Sequence, residues 1–456
     1  MEKKAQAEKS GHIYLPNHEA YHEKRKVWNG WIDRYPSAIF ECKSEEDVVS
    51  AVKYANEQDL EISIKGGGHH IAGTAVCDGG VMIDMSKMNA VAVDSDRLLV
   101  EAEAGATLSD IDEEAQFYGL ATPTGTVSET GIAGLALGGG FGYLRGKYGL
   151  TCDNIVSVRM VTASGELITV NEAEYPDLFW AIRGGGGNFG VITSFTFQLY
   201  PVGPEVFGID VMYDYNDATE ILKELDVYMQ DAPDDISINL AILQLPPAPF
   251  LPEDLHHKRV ITLSGMYIGP LTTEKKETVI QPLRELAVPL MDQTGMVSYI
   301  ELQKKLDPMV PDHVPMDGTS LFLNELNDAL ISELLEQIEK SNELPMVMAQ
   351  LWALHGEMNR VPADETAFAI RGARYLLLID AEIPTDEPSK CFNWMDQFYE
   401  AILPFSYRHS SYLNGVKVDP IITKNTYGNN FEKLKKIKQK YDPKNKFRHN
   451  HNIKSE

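Results

Sequence analysis

The sequence predicts an α+β protein in two parts, and three observations predict it. A chain of 456 residues is long enough for two or three domains at roughly 150 residues each. From Pro36 to about Tyr200, short β-rich runs and helical stretches are separated by glycine clusters. At Pro201–Pro204 the glycine density falls and longer strands interleaved with helices take over, the pattern of an antiparallel sheet covered by helices.

In the first part, Glu45 to Glu57 places Val48, Val49, Val52 and Ala55 at helical spacing, with Ser44 positioned as N-cap. Glu61 to Lys65 reads as a short strand that ends in Gly66, Gly67, Gly68, His69 and His70. Further strands are predicted at 80–84, 90–93 and 97–103, then a helix near 108–118. Gly131 to Gly142 holds six glycines in twelve residues. Alternating β-branched and aromatic residues predict strands at 155–162, 167–170 and 191–200, with a short helix at 177–182.

In the second part, strands are expected at 206–212, 237–245, 259–268, 345–354 and 374–381, and helices at 217–229, 274–286 and 327–340. From Lys424 onward, ten Lys or Arg stand against three acids. Phe431, Leu434, Ile437 and Tyr441 give this basic end a helical apolar stripe, which suits docking onto an acidic body better than a free tail.

Forty-one Lys plus Arg against 67 Asp plus Glu leave a formal charge of −26, or −33 before the last 33 residues, which carry +7. Such a surface repels phosphate backbones and anionic lipid, so neither nucleic acid nor membrane is expected as a partner. Neutral or cationic small molecules suit it better than polyanions. Cys42, Cys77, Cys152 and Cys391 have neither metal-ligand nor disulfide-framework spacing. The charged N-terminus lacks a signal-peptide core, and no apolar run is long enough to span a bilayer, so the expectation is a cytoplasmic protein.

The glycine clusters are candidate binding loops. Gly185 to Gly190 satisfies GxGxxG, but a dinucleotide-binding loop of that type must open a helix, and VITSFTF after Gly190 reads as a strand. The P-loop, zincin and nucleophile-elbow signatures are absent. Without Cβ, glycine backbone approaches a ligand closely and offers neutral N–H donors, so 66–68, 124–142 and 184–190 together would suit an elongated anionic dinucleotide. Tight turns and bulges are the other reading of each cluster alone. His69, at the end of a strand, stays open between a functional group, a packed residue and, with His70, an incidental metal site; no metal centre is predicted.

Five segments in order then carry a resemblance. They are IKGGGHHIAG at 64–73, TVSETGIAGLALGGGFG at 126–142, KYGLTCDN at 147–154, FWAIRGGGGNFGV at 179–191 and KYDPKNKFRHNHNI at 440–453. They resemble the flavin loops and C-terminal ending of FAD-linked oxidases in the berberine bridge enzyme-like branch of the vanillyl alcohol oxidase superfamily. The resemblance implies a PCMH-type FAD-binding domain at 1–204, an α+β substrate domain at 205–424, and a segment at 425–456 that returns to the first domain. It implies FAD as cofactor, linked covalently to His69 by addition of neutral imidazole to the flavin 8α-methyl position. His70 falls where the family has a small polar residue. Val127 stands where some members carry a second, cysteinyl link, which implies a single bond here.

The same resemblance assigns cofactor contacts to Gly66, Gly67, Gly68, Gly125, Thr126, Gly131, Gly134, Gly138, Gly139, Gly140, Asp153, Asn154, Gly190, Val191, Ile192, Asn450 and Asn452. It places Thr130 at the oxygen-access position. Catalysis in the family resembles proton removal by a tyrosinate with hydride delivered to flavin N5. The family's Y-x-N-Y appears as Tyr412, Leu413, Asn414 and Gly415, without the second tyrosine. Tyr412 and Asn414 remain as candidates, with Tyr375, and Arg371 and His355 as helpers that lower a tyrosine pKa. The expected activity is removal of a hydride from a hydroxyl- or amine-bearing carbon of an alcohol, sugar or secondary metabolite, with electrons passing to O2 or another acceptor. Gly415 keeps open an alternative, a flavin-carrying structural or coat-associated protein with lost catalysis.

Overall fold

Ser44 caps the helix Glu45–Glu57 by accepting from the Asp47 N–H, and Val48, Ala51, Val52 and Ala55 turn inward. The structure, a computed structural model, describes residues 11–247 and 252–454. The helix packs against a four-stranded sheet in which Ala38–Glu41 and Ile62–Lys65 flank Val81–Asp84 in parallel, with His12–Tyr14 antiparallel at the edge. A second sheet is antiparallel, ordered Val91–Asp94, Leu99–Glu103, Val191–Gln198, Ile155–Val161, Leu167–Val170. Val191–Gln198 is its central strand, so the glycine run before it leads into a sheet, as the alternating residues require. The two sheets share one core with the glycine loops between them.

The second half is built on an antiparallel sheet of eight strands. Its order is Pro289–Asp292, Glu205–Asp214, Arg259–Tyr267, Ile236–Gln244, Val347–Ala353, Tyr375–Glu382, Met316–Leu323, and Gly295–Ser298 also pairs with Glu205–Asp214. Helices Ala218–Tyr228, Asp328–Glu339 and Pro388–Ile402 cover one face through Ile209, Leu240, Leu351 and Leu377. The other face looks toward the glycine-rich half. Strand Met316–Leu323 and helix Pro388–Ile402 were not predicted. The helix expected at 274–286 is interrupted by a π turn at Lys276–Ile280 just ahead of Pro282, which lacks the N–H that a regular helix needs.

The basic end forms helix Phe431–Tyr441, whose Leu434 and Ile437 are buried in the first core. Lys438 lies fully enclosed beside Asp442, at 2.7 Å. Its ammonium also donates to the carbonyls of Asn188 (2.7 Å) and Phe447 (2.9 Å). Asp442 in turn accepts the N–H groups of Lys446 and Phe447. Every proton of this buried cation therefore has a partner, the condition under which such a pair is tolerated. Because Asn188 belongs to the third glycine cluster, the clamp ties the chain's end to that loop.

Removing one partner of an enclosed pair costs about 3–5 kcal/mol, whereas an exposed pair contributes under about 1 kcal/mol. Lys438→Met is expected to lower the urea midpoint strongly, and Lys440→Met, which breaks the surface pair with Asp177, to leave it nearly unchanged.

Candidate functional site

Strand Ile62–Lys65 delivers the first glycine loop to the centre of the molecule. There it meets the second loop back to back: a Cβ on Gly67 would lie 2.4 Å from the Gly131 nitrogen, and one on Gly131 only 2.2 Å from the Gly67 nitrogen. No side chain fits between them. The two loops form the wall of an elongated cavity, continued by Gly125, Thr126, Val127, Thr130 and Gly134 on one side and by Gly186, Gly187, Asn188 and Gly190 on another. Asn450 and His451 of the C-terminal segment close it. At the far end the wall is the exposed face of the large sheet, with Met348, Gln350, Trp352, Leu376, Leu378 and Asp380.

His69 leaves the first loop and stacks on Trp28, ring centres 5.7 Å apart and planes 15° from parallel. Burial lowers its pKa, so the ring is biased toward the neutral, nucleophilic form. Glu129 and Asp312 bring carboxylates beside it, all three groups within 4.8 Å of one another. His70 is a structural neighbour: Ala72 N–H donates to its Nδ1, so Nε2 carries the proton and donates to the Leu413 carbonyl at 2.9 Å. His451 hydrogen-bonds Thr423 through Nδ1 (3.1 Å), and burial pushes its pKa down to about 3. Its Nε2 is enclosed without a partner, as is Oδ1 of Asn450.

The cavity collects Gly66, Gly67, Gly68, His69, His70, Gly125, Thr126, Thr130, Gly131, Gly134, Gly190, Ile192, Tyr412, Asn414 and Asn450. Other expected contacts lie elsewhere. Gly138, Gly139 and Gly140 pack behind the wall, where a Cβ would strike Asn414, Phe368 and Thr151 at 2.1, 2.9 and 2.2 Å. Asp153 is taken by a bidentate pair with Arg371 (2.6 and 2.8 Å), which also removes Arg371 as a helper. Asn154 spends its amide on the Tyr148 and Leu150 carbonyls. Val191, adjacent to Ile192 on a strand, points to the opposite side. Asn452 lies beyond the wall, beside Ile453, whose N–H is bound by Asn188.

The tyrosines are also reassigned. Tyr375 is buried in the helix-facing core and donates to Asp226 at 2.7 Å. His355 is bound near Pro233, outside the cavity. Tyr412 does reach the cavity, but burial raises its pKa, and its hydroxyl accepts from Asn414 at 3.0 Å with no cation beside it. That environment keeps it protonated. At Gly415, the position a second tyrosine would hold, a Cβ would meet Leu378 at 2.8 Å.

Asp380 is the residue that sequence reasoning missed. It lies five positions after Tyr375, an odd spacing that puts the two on opposite faces of one strand. It lines the cavity, and burial pushes its carboxyl up to about 6. Gln350 donates to Oδ2 at 3.4 Å, while Trp352 donates to the Gln350 oxygen at 3.3 Å. Gly318 on the neighbouring strand leaves room for Oδ1, which a Cβ there would approach to 2.9 Å. An acid set within the apolar run YLLLIDA was the available signal.

Comparison with known proteins agrees with this geometry. The FAD binding domain family matches residues 36–171, and the family described as berberine and berberine like matches 386–454. An FAD-linked oxidoreductase of Dictyostelium discoideum is 31% identical over 452 residues, 97% of this chain and 94% of the relative. The chain belongs to the berberine bridge enzyme-like FAD-linked oxidoreductases. The crystal structure of 6-hydroxy-D-nicotine oxidase from Arthrobacter nicotinovorans superimposes with a TM-score of 0.85 at 28% identity, covering 98% of both chains. Glucooligosaccharide oxidase from Acremonium strictum, a protein described with a 6-S-cysteinyl, 8α-N1-histidyl FAD, shares the fold at a TM-score of 0.87 and 24% identity, covering 99% of this chain and 98% of its own.

FAD is the cofactor of this family member, and the residues present fit it. Neutral glycine backbone lines the cavity, and no Lys or Arg among the described residues does. At Gly67 and Gly131, where a Cβ would be blocked, the backbone itself forms the cradle that an elongated dinucleotide needs. Among the described residues no helix is long and apolar enough to cross a membrane.

The contact between Gly67 and Gly131 leads to a direct expectation. Gly131→Ala should force the loops apart and lower the flavin-to-protein absorbance ratio of purified protein, while Gly295→Ala, away from the cavity and with nothing within 4 Å of its Cβ, should retain the wild-type ratio.

Proposed function

We propose that the protein oxidises a small molecule seated between bound FAD and the large sheet, with Asp380 as the group that accepts the substrate's proton. The observation that carries this reading is one cavity with His69 and the glycine loops at one end and the carboxylate of Asp380 at the other. When bound, FAD supplies a two-electron acceptor for a hydride, and dioxygen is the proposed final oxidant, with Thr130 on the cavity wall at the oxygen-access position.

The chain's own residues do the rest. His69, neutral and stacked on Trp28, is the proposed point of covalent attachment, and Val127 offers no second one. Asp312 and Glu129 are placed to accept one ring N–H and leave the other nitrogen's lone pair free. Trp352, Gln350 and Asp380 form a hydrogen-bonded row that fixes the carboxylate's orientation. Asp380 replaces the tyrosinate of the family pattern, since Tyr412 is held neutral and position 415 carries no side chain. The large sheet excludes water from this end with methionine and leucine side chains.

Two measurements test the reading. After acid precipitation, wild-type protein should stay yellow and His69→Ala should release its flavin; release from both would overturn the covalent link. A base acts as its carboxylate, so a folded-state pKa near 6 means kcat/KM rises with pH through about 6. Asp380→Asn should lose about 10²–10⁴-fold in kcat/KM and abolish that limb of the profile; a mutant that keeps both sinks Asp380 as base.

A further inference from the structure

The strap that leaves helix Tyr299–Gln303 and runs to Val314 belongs to the second half of the chain, yet both of its ends are fastened to the glycine-rich half. At its start the buried Gln303 amide reaches the Thr124 hydroxyl (2.9 Å) and the Gly125 carbonyl (3.1 Å) of the second glycine loop. Further on, the two carboxylate oxygens of Asp307 accept the Ser128 N–H (2.8 Å) and the Ser128 hydroxyl. At its end the His313 N–H donates to the Trp28 carbonyl (2.8 Å), the Trp28 indole to the Val310 carbonyl (3.3 Å) and the Gly30 N–H to the Val314 carbonyl (3.1 Å). Between these anchors Leu306, Met309, Val310 and Pro311 line the cavity.

Both anchors bear on His69. Trp28 is the ring on which His69 stacks, and Ser128 immediately precedes Glu129, one of the two carboxylates beside the imidazole. The other, Asp312, is carried by the strap itself. The contact between Ser128 and Asp307 therefore joins the two segments that bring these acids to His69. Neither Ser128 nor Asp307 lines the cavity. The Asp307 carboxylate is committed to Ser128 through charge-assisted bonds, which are roughly twice as strong as neutral ones. Accurate placement is worth this commitment, because a displacement of about 1 Å in a reacting group can cost about 10²-fold in rate.

We propose that Asp307 is a positioning residue for covalent attachment of FAD. Through Ser128 it sets the Glu129 and Asp312 carboxylates around His69, so that one of them takes the imidazole proton as the ring bonds to the flavin. The proposal rests on His69 as the point of attachment. The step balances: the imidazole N–H and one C–H of the flavin 8α-methyl break as the N–C bond forms. The electron pair of that C–H bond and the two protons, one relayed by the carboxylate, end on the flavin ring. Dioxygen, the oxidant already proposed, then removes them as hydrogen peroxide.

The test uses full-length protein from flavin-limited cells, loaded with FAD in air. At intervals free FAD is removed by gel filtration, and acid precipitation then separates attached flavin in the pellet from bound but unattached flavin in the supernatant. Asp307→Ala should bind as much flavin as wild type and attach it about tenfold more slowly. Ser128→Ala keeps its N–H for Asp307 and should slow attachment about threefold. The double variant should be no slower than Asp307→Ala, because both changes remove one shared contact. Asp307→Asn should recover most of the lost rate, since its amide oxygen still accepts the Ser128 N–H and its NH2 donates to the hydroxyl. Lys304→Met breaks an exposed pair with Glu113 (2.6 Å) on the same strap and should attach flavin at the wild-type rate. Ser128→Ala decides the matter if Asp307→Ala does not fold. A wild-type rate in either single variant, a double variant slower than Asp307→Ala, or Asp307→Asn as slow as Asp307→Ala overturns the proposal. So does loss of total flavin from Ser128→Ala, or slowing by Lys304→Met. Wild-type protein that never retains flavin in the pellet overturns instead the reading of His69 on which the proposal rests.

Discussion

The site depends on one contact, the meeting of Gly67 and Gly131 backbone to backbone. Two loops from different parts of the chain can share a wall only because neither carries a Cβ at that point. His69, two residues on from Gly67, is thereby carried to the cavity. An acidic protein can hold an anionic dinucleotide in this way without placing a cation against it. The cost is rigidity of composition, since either glycine exchanged for any other residue separates the loops.

The second constraint is the return of the chain's end. Lys438 reaches the Asn188 carbonyl from inside the core, and Asn188 in turn receives the Ile453 N–H and donates to the His451 carbonyl. This exchange locks the third glycine cluster to the C-terminal segment and presents Asn450 and His451 to the cavity. The basic character of the terminal helix thus has two uses, a single buried cation at the clamp and exposed ones on the acidic body, such as Lys440 on Asp177. The two halves of the protein then meet across the cavity, with loops on one side and a sheet face on the other.

Legibility in the sequence followed the range over which each property acts. Ser44, the alternation of Val191–Gln198 and the stripe of Phe431, Leu434 and Ile437 report local geometry, and each element formed where its residues indicated. Gly138, Gly139 and Gly140 carried a cofactor motif, yet they pack against Asn414, Phe368 and Thr151 from distant segments. A glycine permits close approach without saying what approaches. Asp153 and Asn154 fell in a recognisable motif, but Arg371, more than 200 residues away, and the nearby carbonyls claim them. Strand Tyr375–Glu382 was correctly singled out, and the wrong side of it was chosen, because a run of apolar residues on both faces conceals which face is covered by helices.

Backbone propensity and short-range pattern in the sequence indicated the class of fold, and the resemblance of its glycine-rich segments to a known family pointed to FAD and to His69. Only the tertiary structure singled out Asp380, the acid proposed as the base. Asp380 becomes chemically distinct through what surrounds it: a neighbouring Gly318 that leaves it space, Lys417 paired with Asp317 instead, and burial that raises its pKa. None of these is a property of the residue or of its neighbours in sequence, and they arise when strands far apart in the chain are brought side by side.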